Sequence, residues 1–364
     1  MSTGVPVRTL VVPRAGVLDV VESVLPPLAD GRFLGETLFT GVSAGTELTW
    51  FRGTSPYFRA GWDVELGMFD RDRPTEFPVE RLGYMEVARV TESRTSAVPE
   101  GSLVAMAYGH STAVHGDPVT QHVVALPPGL DPVLGVYVAH LGPICVNGVL
   151  HAAADAGGSE LRDGVGGRLV VVTGGGPIGL LVGLLAQLHG AAEVVVVDPT
   201  PERRAAAVAL GLDAVDDTAD PARELKTRWR HGPADHGADV VFQCRGTGAA
   251  LATALRCLRP QGTVVDLAFY TGGADDVGLG EEFHHNGLSL RCAQIGRVPR
   301  GLAHRWDRRR LSAETLALLD VHGPRISAAL VTDVVPFDEA PALFADLSDR
   351  RRHALSAVLR TTPP

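Results

Sequence analysis

Apolar residues follow two different patterns along this chain, and the change comes near residue 168. Before about residue 130, short apolar segments are separated by clusters of Gly, Pro and Asp, which is typical of strands joined by turns. This part is therefore predicted to be irregular and mostly β, with strands over Phe33–Val42, Val87–Val90, Leu103–Tyr108 and Gln121–Leu126. A longer apolar stretch, Val133–Ala154, is predicted to be helical and leads out of this region.

From Arg168 onward, runs rich in valine alternate with segments of helical character. Such alternation indicates a parallel sheet that is buried on both faces. The predicted strands are Leu169–Thr173, Glu193–Asp198, Asp239–Gln243 and Thr263–Ala268, and the predicted helices are Ile178–Leu188, Glu202–Leu210 and Ala249–Leu258. After Gln294 the pattern loosens, with helices expected over Leu311–Asp320 and Ala340–Leu347 and strands over Ala328–Val335 and Ala354–Leu359.

A glycine motif lies where the first strand of this alternation meets its helix. The residues Gly174-Gly-Gly176-Pro177-Ile178-Gly179 follow Leu169–Thr173 directly, and Asp198 ends the next strand. In this setting the first glycine allows a tight turn, the second lets the backbone approach a pyrophosphate, and the third lets the helix pack close to the strand. The free N–H groups of the helix N-terminus then face the phosphates. We therefore predict a dinucleotide-binding site.

Asp198 bears on the choice of cofactor. A carboxylate at this position can accept hydrogen bonds from the adenosine ribose and would repel a 2′-phosphate, so NAD is predicted. Because Arg203 and Arg204 follow closely, NADP stays possible. Ligands bind at the carboxyl ends of parallel strands, so Cys244, Arg245, Leu267 and Ala268 are expected to flank the ribose and nicotinamide; a buried structural thiol is the alternative for Cys244.

These patterns predict an α/β protein built from three segments. Residues 1–145 form a β-rich catalytic domain, residues 146–296 form a Rossmann domain with a doubly wound parallel sheet, and residues 297–364 return to the catalytic domain.

Composition narrows the function further. A net charge of −9 argues against a nucleic acid or an anionic membrane surface as the main partner. Lys226 is the only lysine and lies in a polar stretch, which excludes a pyridoxal-phosphate Schiff base, a lysine-based aldolase and a Walker-type phosphate loop. The four cysteines contain no Cys-x-x-Cys pair, which predicts reduced thiols and a cytoplasmic location.

Over nearly its full length, the chain resembles the medium-chain dehydrogenase/reductase superfamily, the alcohol and sorbitol dehydrogenase type. That family carries an early Gly-x-Cys-Gly-Thr-Asp segment followed by an aromatic-x-Gly; here the residues are Gly41-Val-Ser-Ala44-Gly45-Thr46-Glu47 and Phe51-Arg52-Gly53. The Ser-Ala-Gly-Thr-Glu form is most similar to the branch that includes bacteriochlorophyllide dehydrogenases. The resemblance implies a GroES-like first domain, a small-molecule substrate and a homo-oligomer, dimeric or tetrameric.

The positions that hold zinc ligands in this family differ here. Ala44 stands at the cysteine position, Tyr84 at the histidine position and Met85 at the neighbouring glutamate position. Around the third ligand the chain reads His140-Leu-Gly142-Pro143, and residues 93–130 contain none of the four cysteines of the family's structural zinc lobe. Catalytic zinc needs a set of nitrogen, sulfur or carboxylate ligands around an open position. We therefore predict no metal.

Without zinc, a hydride transfer needs hydrogen-bond donors aimed at the substrate oxygen. Tyr84 is the first candidate, since its phenol replaces a metal ligand; the alternative is that it only fills the vacated volume. Thr46 matches the family's proton-relaying hydroxyl, or caps a turn; Thr49 stands at the next relay position, usually histidine. His110 is a candidate general acid, or a surface histidine. Glu47 and Glu86 are expected in structural ion pairs, and Trp50, Tyr57, Phe58 and Trp62 in a substrate cleft or in packing.

The leading functional prediction is a zinc-independent, NAD(P)-dependent oxidoreductase acting on a small alcohol or ketone. The scarcity of lysine relative to arginine suggests a role in specialised metabolism. Two alternatives stay open. One is reduction of a C=C bond conjugated to a carbonyl, as in quinone and enoyl reductases. The other is a non-redox role on the same fold, as an epimerase, a lyase or a binding protein.

Overall fold

The computed structural model describes residues 4–362. Its strands are β1 (Val5–Arg14), β2 (Val17–Leu25), β3 (Phe33–Val42), β4 (Gly61–Asp63), β5 (Met68–Asp70), β6 (Glu86–Ser93), β7 (Leu103–Met106), β8 (Ala113–Gly116), β9 (Val123–Ala125), β10 (Leu169–Thr173), β11 (Glu193–Val197), β12 (Asp213–Val215), β13 (Arg230–Gly232), β14 (Asp235–His236), β15 (Ala238–Gln243), β16 (Leu258–Asp266), β17 (Ser289–Cys292), β18 (Val331–Pro336) and β19 (Ser356–Arg360).

The α-helices are α1 (Ala44–Phe51), α2 (Leu141–Asp155), α3 (Leu161–Val165), α4 (Pro177–Leu188), α5 (Pro201–Ala209), α6 (Pro221–Arg228), α7 (Gly248–Cys257), α8 (Arg308–Leu330) and α9 (Ala340–Ser348). Within residues 4–362, no helix combines the length and the apolar character needed to cross a membrane.

The chain forms two compact units. The first comprises the described residues up to His140 together with those from Val331 onward, and the second comprises Leu141–Leu330. These boundaries differ from the expected ones, since the return to the first unit begins at Val331 and not at residue 297. The reason is α8, which packs against α2, α4 and α5 within the second unit.

The first unit is built on a mostly antiparallel sheet with strand order β18-β19-β3-β6-β7-β9, and β8 pairs with one end of β3. The C-terminal strand β19 lies directly beside β3, which confirms that the end of the chain returns to this sheet. A core that includes Leu10, Phe51, Phe344 and Leu359 joins the β1–β2 hairpin, α1 and α9 to the sheet. This sheet and core hold α1 and the strand β6, the two elements that flank the candidate site of this unit.

The second unit contains a six-stranded parallel sheet with order β12-β11-β10-β15-β16-β17. When these six strands are numbered 1 to 6 along the chain, their order in the sheet is 3-2-1-4-5-6. This is the order of a doubly wound dinucleotide-binding fold, and it confirms the predicted fold class. The valines of β10 and β11 are almost completely buried, as expected for a sheet covered on both faces. The strand order reverses between β10 and β15, so a crevice for a ligand is expected at their carboxyl ends.

Several elements differ from the sequence-based expectation. The hairpin β1–β2 and the helices α1 and α6, of eight residues each, were not predicted. The strand expected over Ala328–Val335 was placed too early, since α8 continues to Leu330. The helix expected from Val133 is instead a 3-10 segment, Pro132–Tyr137, followed by α2.

Candidate functional site

The glycine loop of the second unit joins the end of β10 to α4. Gly174 has a φ of +106°, which favours glycine, and a Cβ built on Gly179 would lie 1.8 Å from the carbonyl oxygen of Gly174. A side chain at Gly179 would therefore push the helix away from the strand. Pro177 is the first residue of α4, where a missing N–H costs no helical hydrogen bond. The unpaired N–H groups of this helix terminus form the kind of site that binds a pyrophosphate.

Asp198 follows β11 and is fully buried. Its Oδ2 accepts a hydrogen bond of 2.8 Å from the N–H of Gly175, and its Oδ1 accepts one of 2.8 Å from the N–H of Thr200. Nη1 of Arg203 lies 3.6 Å from Oδ2. An ionised carboxylate has about four lone-pair sites, so these contacts leave lone pairs unused, although the side chain is not exposed to solvent. Arg204 donates to the backbone carbonyl of Asp198 over 2.8 Å and forms an ion pair of 2.9 Å with Asp216.

The neighbouring strand ends carry the remaining predicted cofactor residues. The N–H of Cys244 donates to the carbonyl of Thr173 over 2.8 Å, and the N–H of Leu267 donates to the carbonyl of Gln243 over 2.9 Å. The side chain of Arg245 forms a 3.0 Å ion pair with Asp217. Burial raises the pKa of the Cys244 thiol well above its usual range, so this thiol stays protonated. The backbone thus brings these residues to the carboxyl edge of the sheet beside the glycine loop.

Sequence reasoning missed Gln243, which is buried at this edge. Its Oε1 accepts a 2.5 Å hydrogen bond from the hydroxyl of Thr173, and its Nε2 donates to the hydroxyl of Tyr270 over 3.1 Å. A polar residue at the end of an otherwise apolar strand was the available signal. Gln243, at the end of β15, hydrogen-bonds to Thr173 at the end of β10, and so connects the two strands between which the strand order reverses.

In the first unit, Tyr84 and Ser43 form a pair. The Tyr84 hydroxyl donates a hydrogen bond to Oγ of Ser43, the residue that precedes α1. The ring of Tyr84 also contacts the ring of His140, with 4.5 Å between centroids. Ser43 was not among the predicted site residues, although it lies in the motif that carries the family resemblance.

Thr46 lies in the first turn of α1 and is half-buried. Its N–H donates to the carbonyl of Ser43, and its own carbonyl accepts a 2.6 Å hydrogen bond from the hydroxyl of Thr49. The Thr49 hydroxyl therefore points back into the helix and is buried. Thr46 remains the accessible hydroxyl of this pair.

His110 is fully buried, so the alternative of a surface histidine is wrong. Its Nε2 lies 2.7 Å from Oε2 of Glu47, and its Nδ1 lies 2.8 Å from the hydroxyl of Thr40. Glu47 is thus hydrogen-bonded to His110, and the expected ion pair stays a prediction. The sequence could not show this burial, because Glu47 and Thr40 are separated from His110 by 63 and 70 positions in the chain.

Glu86 corrects a second expectation, because it forms no ion pair within residues 4–362. Its carboxyl accepts a hydrogen bond from the hydroxyl of Thr37, and Oε2 has no hydrogen-bond partner in this part of the chain. Burial raises the pKa of Glu86 to about 8, while the contact with Thr37 opposes that shift. The side chain is therefore a neutral carboxylic acid at neutral pH.

The residues at the family's ligand positions do not fit a zinc ion. Ala44 offers no ligand atom, and the hydroxyl of Tyr84 is directed at Ser43. In the part of the chain that the structure describes, no three side chains of His, Cys, Asp or Glu are grouped as a metal site requires.

The predicted aromatic stretch forms a connected series of rings. Trp50 packs against Tyr57 at 5.2 Å, Tyr57 against Phe69 at 5.4 Å, and Phe69 against Trp62 at 5.2 Å. Phe58 contacts Trp50 at 5.4 Å and packs on Phe77 at the edge of the core. Phe58 serves packing, as one of the two expectations had it, and Trp62 and Phe69 are 46% and 41% exposed. A substrate cleft lined by this stretch stays a prediction.

Known proteins resemble this chain both in sequence and in fold. Residues 177–305 match the family described as zinc-binding dehydrogenase. The D-guloside 3-dehydrogenase of Escherichia coli (strain K12) is 29% identical over 317 residues, which cover 84% of this chain and 86% of that protein.

Two solved structures share the fold of the whole chain. A structure from Sinorhizobium meliloti 1021 with NADP bound has a TM-score of 0.72 at 20% identity and covers 98% of this chain and 99% of that one. A structure described as a short chain alcohol dehydrogenase from Escherichia coli CFT073, complexed with NADH, has a TM-score of 0.71 at 15% identity and covers 98% of this chain and 100% of that one. These comparisons show a match to the zinc-binding dehydrogenase family over residues 177–305 and a dehydrogenase fold shared over almost the entire chain.

Proposed function

We propose that this protein is a zinc-independent oxidoreductase that transfers a hydride between NAD(P)(H) and the carbon of a small alcohol or ketone. The observation that carries this proposal is the Tyr84–Ser43 pair. A phenol held by a neighbouring hydroxyl takes the place where the family has a metal ligand, and it offers a proton donor instead of a cation.

Residues of the second unit fit a dinucleotide. The loop Gly174–Gly179 and the first turn of α4 would hold the pyrophosphate, and Asp198 would accept a hydrogen bond from the adenosine ribose. The buried carboxylate of Asp198 supports NAD, and the guanidinium of Arg203 beside it leaves NADP possible. When bound, the nicotinamide supplies or accepts the hydride.

The chain's own residues would then handle the oxygen and its proton. In the reducing direction, the carbonyl carbon gains a hydride and its oxygen gains a proton. We assign Tyr84 as the hydrogen-bond donor to that oxygen. When the substrate binds, the hydrogen bond of the pair reverses: Ser43 donates its hydroxyl proton to the phenol oxygen, which leaves the Tyr84 O–H for the substrate. Thr46 offers a second hydroxyl. One preorganised donor contributes roughly 2.7–4 kcal/mol to transition-state stabilisation, which offsets much of what a metal would supply.

The substrate class follows from the comparison as a proposal. The D-guloside 3-dehydrogenase matches most of this chain, which favours a secondary hydroxyl of a sugar or cyclitol derivative as the reacting group. A role in specialised metabolism remains our prediction from composition. The four free cysteines accord with the cytoplasmic location that we propose.

The test combines metal analysis with isotope transfer. The intact protein, dialysed against a chelator, is assayed with 4-deuterated NADH and a panel of ketosugars and conjugated enones, and the deuterium is located in the product. We expect activity without stoichiometric zinc and deuterium on the carbinol carbon. Deuterium on a β-carbon would show C=C reduction instead. Tight NADH binding without net oxidation across the panel would indicate a non-redox role, and zinc at one ion per chain would refute zinc independence.

A further inference from the structure

One buried carboxylate is connected to the Tyr84 hydroxyl through Ser43. Glu47 is 1% exposed, and its Oε1 accepts a 2.9 Å hydrogen bond from the N–H of Ser43. Ser43 is also the residue whose Oγ accepts the hydrogen bond from Tyr84. A carboxylate that bonds the N–H of the residue before a helix fixes the entry of the chain into that helix. Glu47 therefore fixes the backbone that carries the partner of the phenol.

The same carboxylate is connected to the backbone of Tyr84 through His110. Oε2 of Glu47 lies 2.7 Å from Nε2 of His110, and the N–H of His110 donates to the carbonyl of Leu82 over 2.8 Å. Gly83 has a φ of +95°, and a Cβ there would lie 2.8 Å from Nε2 of His110. The imidazole thus packs directly against the residue that precedes Tyr84.

Thr40 completes the arrangement. Its hydroxyl lies 2.8 Å from Nδ1 of His110, so both ring nitrogens have partners and the ring has one orientation. Thr40 belongs to β3, in the interior of the sheet of the first unit. The hydroxyl and the backbone of Tyr84 are thereby both connected to the same strand, β3, through Ser43, Glu47 and His110.

We infer that Glu47 and His110 are positioning residues for the Tyr84 hydroxyl. This inference rests on the proposed role of Tyr84 and reassigns His110, which was a candidate general acid. A fully buried imidazole with both nitrogens engaged does not reach a substrate. Hydrogen-bond donors in active sites act through preorganised geometry, and a displacement of about 1 Å can lower the rate about 100-fold. Glu47 and His110 supply that geometry without touching the reacting atoms.

A double-mutant cycle tests the inference by its effect on turnover. Glu47→Leu removes both contacts of the carboxylate and is expected to lower kcat about 100-fold, with the Kd for NADH unchanged. Glu47→Gln is expected to recover much of this rate, because an amide can accept from Ser43 and donate to the other tautomer of His110. In a Tyr84→Phe background, Glu47→Leu should cause little further loss. Full additivity of the two changes would overturn the inference.

The matched control is Tyr137→Phe, which removes a buried 2.8 Å hydrogen bond to Ser356 in the same unit. Combined with Tyr84→Phe, its effect on kcat should be additive. If Glu47→Leu does not fold, His110→Gln replaces it in the same cycle, with the same expected non-additivity.

A second measurement does not depend on turnover. The chain has five tyrosines, so the ring-carbon NMR signal of labelled Tyr84 can be assigned with Tyr84→Phe. We expect Glu47→Leu to move the Tyr84 signal and to leave that of Tyr137 in place; an unmoved Tyr84 signal would refute the positioning role. If Tyr84→Phe retains full turnover, the proposed function of Tyr84 fails, while this spectrum still decides whether Glu47 positions it.

Discussion

The carboxylate of Asp198 accepts a 2.8 Å hydrogen bond from the backbone N–H of Gly175. The residue predicted to bind the ribose therefore also holds the loop predicted to bind the pyrophosphate. Its second oxygen accepts from the N–H of Thr200, so one side chain connects the ends of β10 and β11.

Asp198→Asn should weaken both folding and cofactor binding. An amide has one oxygen, so one of the two backbone N–H groups would lose its acceptor, at a cost of about 1–3 kcal/mol in the free energy of unfolding. The affinity for NADH should fall, and NADPH should be less strongly disfavoured because the negative charge is gone. Denaturant unfolding and titration with both coenzymes measure these effects. Arg203→Ala, which leaves both backbone contacts of Asp198 intact, is the control for charge alone. If Asp198→Asn altered the coenzyme preference but left the free energy of unfolding unchanged, Asp198 would not hold the loop.

Gly176→Ala should weaken nucleotide binding without destabilising the fold. A Cβ at Gly176 meets no heavy atom within 4 Å, and the residue has an ordinary negative φ. The melting temperature should therefore stay close to that of the unmodified protein, while the methyl group occupies the space that the pyrophosphate needs. We expect NADH affinity to fall at least about tenfold, equivalent to about 1.4 kcal/mol. Gly232→Ala, an equally open position in the same unit, should leave NADH affinity unchanged. Equal affinities in the two variants would contradict the proposed phosphate site.

Tyr84→Phe should lower kcat about 100- to 1,000-fold, the usual effect of removing one donor to a developing oxyanion. The fold should persist, because only one half-buried hydroxyl is lost, and the Kd for NADH should not change. Steady-state kinetics with the best substrate of the panel, together with calorimetric titration of NADH, provide the measurement. Turnover equal to that of the unmodified protein would leave Tyr84 with a packing role alone.

Glu86 should make stability depend on pH. Its pKa is raised by burial from 4.5 to about 8 in the folded protein, so between these values the folded state binds the proton more tightly than the unfolded state. The free energy of unfolding should therefore decrease as the pH rises from 5 to 8, by about 3 kcal/mol if Glu86 acts alone. Glu86→Gln keeps the shape and removes the titration, so its unfolding free energy should lose this component of the pH dependence. If the free energy of unfolding changed with pH in the same way in both proteins, Glu86 would not be a neutral buried acid.

Much of the second unit could be predicted from local sequence. The valine runs of β10 and β11 and the glycine loop between β10 and α4 are determined by residues that are close neighbours in the chain. Buried parallel strands and tight glycine turns leave strong local patterns. The limits of α8 were less predictable, because its length is decided by packing against three helices that are distant in sequence.

The catalytic candidates of the first unit show the opposite situation. The family resemblance identified Tyr84 through the substitution at a metal-ligand position and Thr46 as the match to the proton-relaying hydroxyl. The sequence also suggested His110 as a candidate general acid and Glu47 as a member of a structural ion pair. Only the tertiary structure decided that His110 is buried, that Glu47 joins it to Ser43, and that Ser43 receives the Tyr84 hydroxyl. Residue types and local spacing determine which chemical groups are available. The burial and mutual orientation of groups tens of residues apart are decided by the packing of α1, β3 and the segment before β6, which leaves no pattern in any single stretch of the chain.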